Sequence, residues 1–209
     1  MKAEQPKRKE VLKSFLEKFD ISTLNPMQTE ARKAIYAGND VAVLSPTGSG
    51  KTLAFLLPII ERLDPNISEV QALVLAPSRE LAMQIEQVAR KLGSGFKINA
   101  VYGGRSGALD KADLKHRPAL LIGTPGRIAD RFRRDDIDLT RIKTLVLDEF
   151  DKSLEVGFER EMSEIVRSLG VVEQRVLTSA TDAVAIPKFL GLNDPLTIDY
   201  LNQHRPQLT

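Results

Sequence analysis

At 209 residues the chain is long enough to bury one substantial core, while two full domains would be a squeeze. A composition that is 42% hydrophobic and 28% charged excludes a disordered polymer, and the longest apolar run, LAFLLPII, is far too short to cross a bilayer. Thirty Lys and Arg against 28 Asp and Glu leave a formal charge of only +2, so any nucleic-acid contact must be local, and the absence of cysteine excludes disulfides and thiolate metal sites.

Taken from the N-terminus, the first residues are polar, and Phe15 and Phe19 read as core positions of an amphipathic helix. Gln28, in LNPMQ, stands at the start of a second helix. Short runs rich in Val, Leu and Ile follow: VAVLS from Val41, ALVLAP from Ala72, INAVY from Ile98, ALLIGT from Ala119, TLVLDE from Thr144, RVLTSAT from Arg175 and LTIDY from Leu196. Most lack polar alternation, which predicts strands buried on both faces, as in a parallel sheet. The segments between them have helical spacing. Arg79 to Leu92 places Leu81, Ile85, Val88 and Leu92 on one stripe, and ALDKADLKH, RIADRFRR and FEREMSEIVRSL repeat the scheme. Arg131, Arg133 and Arg134 read as a solvated face. Alternating strand and helix predict an α/β fold, an open doubly wound parallel sheet with helices on both faces. The terminal NQHRPQLT loses periodicity and reads as a linker, and His116 and His204 lie in no ligand-like cluster.

SPTGSGKT, Ser45 to Thr52, follows the strand VAVL and opens a helix near Gly50. Such a turn aims successive backbone N–H groups and a helix N-terminus at an anion, while Gly48 and Gly50 permit tight turning and close approach. Lys51 supplies charge for β- and γ-phosphates, Thr52 a hydroxyl for Mg²⁺, and Ser45, Pro46, Thr47 and Ser49 complete the cradle. Pro58 is expected to end the regular hydrogen bonding of this helix. A glycine-rich turn that binds nothing is the competing reading. Against it stand Asp148 and Glu149, which emerge from the carboxyl end of TLVL: an Asp there can hold Mg²⁺ and an adjacent Glu can activate water.

Together these residues resemble the first RecA-like domain of the DEAD-box RNA helicases. SPTGSGKT resembles motif I, PSRELA at Pro77 to Ala82 resembles motif Ia, and Gly103–Gly104, TPGR at Thr124 to Arg127, DEFD at Asp148 to Asp151 and SAT at Ser179 to Thr181 follow in the family's order. The resemblance implies a RecA-like P-loop NTPase domain over residues 1–200, including a Q-motif region, with a linker beginning at 201–209. It implies ATP and Mg²⁺ as ligands, with Gln28 reading the adenine edge, although Asp20 and Leu24 replace the family's usual glycine and first proline. Lys51, Asp148 and Glu149 would carry the chemistry, and Thr52 and Asp148 the metal. Asp151, Ser179 and Thr181 would couple the site to RNA, with SAT alternatively a strand end capping a helix over AVAIPKFLG. Phe150, where alanine is usual, must find space behind the site.

For RNA the resemblance implies sugar and phosphate contacts, with Arg79 and Arg127 on phosphates, Gly104 allowing close approach, Thr124 adding a hydroxyl, and Pro77 and Arg105 nearby. The expected setting is cytoplasmic and monomeric, without membrane. A second RecA-like domain is the implied partner, because nothing after SAT resembles the family's later arginine motif, so the chain reads as one half of an enzyme. Another P-loop phosphotransferase, or a non-catalytic RNA-binding scaffold, remain the rival classes.

Overall fold

A computed structural model describes residues 4–183, 185–192 and 194–202; the linker reading of 203–209, and His204 with it, lies outside them. Each of the seven short runs rich in Val, Leu and Ile forms the body of a strand: β1 (Val41–Leu44), β2 (Ala72–Leu75), β3 (Ile98–Val101), β4 (Leu120–Gly123), β5 (Thr144–Leu147), β6 (Gln174–Ser179) and β7 (Leu196–Asp199). They make one sheet in the order β3-β4-β2-β5-β6-β1-β7, with every neighbouring pair parallel. All strands therefore end on the same edge of the sheet.

Two apolar clusters, one on each face, explain the lack of alternation. Ala72 and Val74 of β2 join one, with residues from α1 (Glu4–Glu17), α2 (Pro26–Tyr36), α3 (Lys51–Arg62) and α4 (Arg79–Leu92). Leu73 and Leu75 join the other, with residues from α5 (Gly107–Leu114), α6 (Pro125–Arg133), α7 (Phe150–Glu155) and α8 (Glu159–Ser168). Successive side chains of a strand point to opposite faces, and here both faces are covered. The doubly wound expectation is borne out. Phe15 is buried in the first cluster and Phe19 packs against it; Phe150 is buried in the second with Met162, Ile165 and Leu177. No helix among the described residues is long and apolar enough to cross a membrane.

Three local expectations are corrected. α3 runs on past Pro58 to Arg62, because Leu53, Phe55, Leu56, Leu57, Ile59 and Ile60 are all buried, and that packing outweighs the bond Pro58 cannot donate. Arg131 is not on a solvated face: it is buried, its guanidinium held by Asp130, by Asp136 at 2.9 Å and by the Gly107 carbonyl. Its neighbours Arg133 and Arg134 do remain exposed, paired with Glu164 and Asp130. After Thr181 the described residues form no α-helix, only a single 3₁₀ turn at Lys188–Leu190 behind Pro187.

The open edge of β3 is covered by side chains rather than by another strand. Arg90 donates to the Ile98 carbonyl at 2.8 Å and Arg105 to the Ala100 carbonyl at 3.2 Å, so guanidinium groups take the positions a pairing strand would fill.

Candidate functional site

The carboxyl ends of β1, β6 and β5 lie side by side, and each delivers one piece of the site. The loop after β1 begins with Ser45, whose N–H is held by the Ser179 carbonyl of β6 at 3.0 Å. Gly48 and Gly50 have φ of 81° and 89°, left-handed values that only glycine adopts without strain, and Gly50 stands at the start of α3. The turn thus presents a helix N-terminus with no side-chain cap, open to an anion. Ser49 Oγ is buried here without a hydrogen-bond partner, as a cradle for a polar ligand would leave it. Thr47 and Gly48 are exposed at the rim, Pro46, Thr52 and Gly50 are half-buried, and Lys51 is buried. Lys51 Nζ donates to the carbonyls of Ser45 and Pro46, the second at 2.9 Å. Burial pulls its pKa down, against the opposing pull of Asp148, Glu149 and Asp151.

Asp148 and Glu149 follow β5. Asp148 is 2% exposed and accepts a hydrogen bond from Thr178 Oγ1. Burial pushes its pKa up to about 6, with the Glu149 charge adding and the Thr178 bond and Lys51 opposing. Glu149 has φ 49° and ψ 51°; its N–H donates to Thr178 Oγ1 at 2.9 Å, and its carboxylate pairs with Lys152 at 3.0 Å. Asp151 is buried with Oδ1 unpartnered. Ser179 does not reach it: Ser179 Oγ donates to the Thr181 carbonyl at 2.6 Å and accepts from the Thr181 N–H at 3.1 Å, within its own loop. The link between DEFD and the end of β6 runs instead through Thr178, which the sequence reading passed over because a Thr inside an apolar strand carries no motif signal.

The raised pKa of Asp148 sets a stability prediction. Burial makes the folded state bind this proton more tightly than the unfolded chain does. Below about pH 4 the carboxyl is largely neutral in both states and costs little; as pH rises from there to about 6 the unfolded chain ionises while the folded one still holds its proton, so stability falls and then levels off once the folded carboxyl has ionised too. With each pKa unit worth about 1.4 kcal/mol, the penalty at neutral pH approaches about 3 kcal/mol. Asp148→Asn is therefore expected to raise Tm by roughly 5 °C or more at pH 7.5 and to leave it nearly unchanged at pH 4. Thermal melts of both proteins across that range check it; equal shifts at both pH values would contradict it.

Gln28 is buried and tied to the loop after β1. Asn25 and Gln28 cap α2 reciprocally, at 2.8 and 3.0 Å, while Gln28 Nε2 donates to the Gly50 carbonyl at 3.2 Å and Asn25 Nδ2 to the Ser49 carbonyl at 3.0 Å. One amide hydrogen and one lone pair of Gln28 remain, enough for a base edge. Asp20, where the resemblance leads one to expect glycine, has φ 56°, the backbone a glycine would take at the end of α1.

The other candidates gather over the adjoining strands. Arg79 opens α4 after β2, next to Pro77, and is exposed; its N-cap Ser78 accepts from the Leu81 N–H at 3.1 Å. Gly104, after β3, has φ 87°, and a Cβ placed there would lie 2.9 Å from Arg79 Nη1. Thr124 is a buried N-cap of α6 after β4. Arg127 is less free than the sequence suggests: Nε donates to Asp110 Oδ2 at 2.8 Å, and Nη2 to the Arg105 carbonyl at 2.8 Å. Arg105 pairs with Asp113 at 2.7 Å. Asp110, fully buried, holds this group together and had no signal in the sequence. Among the described residues no group of three or more His, Cys, Asp or Glu is arranged to hold a metal.

The profile of the DEAD/DEAH box helicase family matches residues 25–186. The ATP-dependent RNA helicase DbpA of Escherichia coli K12 is 38% identical over 182 residues, 85% of this chain and 40% of DbpA. CshA of Limosilactobacillus reuteri, another ATP-dependent RNA helicase, is 38% identical over 178 residues, 83% of this chain and 36% of CshA. A crystal structure of a hypothetical ATP-dependent RNA helicase from Sulfolobus tokodaii matches with a TM-score of 0.81 at 26% identity, covering 91% of this chain and 57% of that one. The chain thus spans 36 to 40% of the length of these two relatives.

Proposed function

The chain belongs to the DEAD/DEAH box helicase family, and from that premise we propose that it is the ATP-binding first core domain of an RNA helicase. In this reading it couples Mg-ATP binding and hydrolysis to sequence-independent RNA contact, and so to duplex unwinding or RNA–protein remodelling. The observation that carries the proposal is the division of one sheet edge. The phosphate loop, Asp148 and Glu149 sit over β1, β6 and β5, while Arg79, Gly104, Thr124 and Arg127 sit over the adjoining β2, β3 and β4.

On the nucleotide side, the loop N–H groups and Lys51 bind the phosphates, and Gln28 meets the base. Thr52 and Asp148 offer the hard oxygen donors that Mg²⁺ prefers; among the described residues no three His, Cys, Asp or Glu gather into an all-protein cage, and Mg²⁺ commonly shares its shell with phosphates and water. Bound there, Mg²⁺ would neutralise charge developing on the transferring phosphoryl group. Glu149, its carboxylate held by Lys152, orients the attacking water and accepts its proton.

On the RNA side, exposed Arg79 and the open backbone at Gly104 suit a phosphate track. Arg127 acts there partly by holding the loop of Gly104 and Arg105 in place. A second RecA-like domain would bring arginine to the γ-phosphate; without such a residue phosphoryl transfer runs about a thousandfold slower or worse.

The test is ATP turnover by the 209-residue chain with and without single-stranded RNA, beside nucleotide binding. Binding of ATP with negligible turnover is expected. Turnover that needs a phosphate acceptor other than water would replace this reading with a phosphotransferase, and RNA binding without nucleotide binding would replace it with a scaffold.

A further inference from the structure

Thr178 lies at the end of β6 and is 1% exposed. The β5–β6 ladder pairs Leu147 with Leu177, so the next residues stand side by side, Asp148 just past the end of β5 and Thr178 still within β6, where it pairs with Val43 of β1. A threonine hydroxyl has one proton to give and lone pairs to receive, and here both kinds of bond go to consecutive residues of the neighbouring strand's exit. The proton goes to the Asp148 carboxylate, which can only accept; a lone pair takes the Glu149 N–H at 2.9 Å, which can only donate. The direction of each bond is thereby determined by its partner.

These two bonds hold what the backbone alone would not. Glu149 has φ 49° and ψ 51°, a left-handed conformation that costs a residue with a Cβ about 1–2 kcal/mol. Asp148 is a buried carboxylate whose other neighbours give it no side-chain hydrogen-bond donor among the described residues, so Thr178 alone fixes its rotamer by a hydrogen bond on the side of Lys51.

We propose that Thr178 is a positioning residue: its hydroxyl aims Asp148 at the metal ion and sets the backbone turn from which Glu149 projects. The inference rests on the nucleotide reading of the site and assigns a role to a residue outside the SAT triplet. Ser179, whose hydroxyl is spent within its own loop, does not share it.

The experiment titrates the chain with N-methylanthraniloyl-ADP, in Mg²⁺ and in EDTA, for wild type, Thr178→Val and Thr178→Ser. Valine keeps the shape and removes the hydroxyl, while serine restores it. The expected result is that Thr178→Val loses at least about fivefold of the affinity gained on adding Mg²⁺, keeps its affinity in EDTA, and is rescued by Thr178→Ser. A wild-type Mg²⁺ gain in the valine variant overturns the proposal. So does an equal loss in Mg²⁺ and EDTA, which would mark a general packing role. Should the valine variant unfold, Thr178→Ala against Thr178→Ser carries the same comparison. A wild-type chain that binds in EDTA with no Mg²⁺ gain overturns this inference alone; one that binds no nucleotide overturns the nucleotide reading with it.

Discussion

Lys51→Ala is expected to weaken ATP and ADP binding by roughly 10- to 100-fold while leaving the chain folded. The loss follows from removing a charge-assisted hydrogen bond to phosphate, worth about 1.5–3 kcal/mol. That the fold survives follows from the environment of the ammonium. Its pKa is lowered chiefly by burial, so at neutral pH the charged side chain sits in the folded protein at a cost, and deleting it relieves that cost. The carbonyls of Ser45 and Pro46 lose a donor, but Ser45 keeps its backbone bond to Ser179. Lys51→Arg should fail to rescue, because a planar fork cannot replace a point charge inside so tight a loop. Isothermal titration with ADP, alongside a thermal melt, checks both halves. Undiminished affinity would show that the lysine does not meet the phosphates.

Asp110→Ala is expected to carry the largest stability loss, on the order of 3 kcal/mol. The carboxylate is fully buried and receives both Nε and Nη2 of Arg127, the shorter contact being 2.7 Å, with Arg105 at 3.9 Å. Removing one partner of a buried ion pair leaves an uncompensated charge, which typically costs about 3–5 kcal/mol; Arg127 retains some exposure, so the lower end applies. At about 2–4 °C per kcal/mol for a domain of this size, Tm should fall by roughly 6–12 °C. The double substitution Asp110→Leu with Arg127→Met should recover much of that loss, because both charges are then gone. Denaturant melts of the single and double variants measure it. A single variant as stable as wild type would mean the pair contributes nothing. A drop in RNA affinity greater than that of Arg127→Ala would show that Asp110 also orients Arg105.

Much of the fold was legible because its signals are local. Each buried strand announces itself by an apolar run without alternation, and Arg79 to Leu92 carries its own stripe, cap and terminal glycine at Gly93. The shape of the loop after β1 was equally legible, since the glycine spacing and the strand-to-helix junction that give it lie within a few residues. Asp148 and Glu149 were placed correctly at a strand's carboxyl end for the same reason. Where the sequence misled, a longer-range contact prevailed. Pro58 does not stop α3 because the core packs against its last turn, and Arg131 is buried because Asp136 and the Gly107 carbonyl close around it.

The sequence by itself thus determined which segments are strands, which turn has the glycine-shaped strand-to-helix geometry and which carboxylates stand at the sheet edge, all properties of short-range backbone geometry and hydrophobic period. Only the tertiary structure decided the order β3-β4-β2-β5-β6-β1-β7, which places the glycine-rich loop, Asp148 and Glu149 over one half of the edge and Arg79 and Arg127 over the other. It alone decided that Thr178 serves Asp148 and Glu149, and that Asp110 holds Arg127. The physical reason is that strand order and buried polar pairing are chosen by side chains distant in sequence: each buried donor or acceptor must find a partner once water is excluded, and no local pattern names that partner.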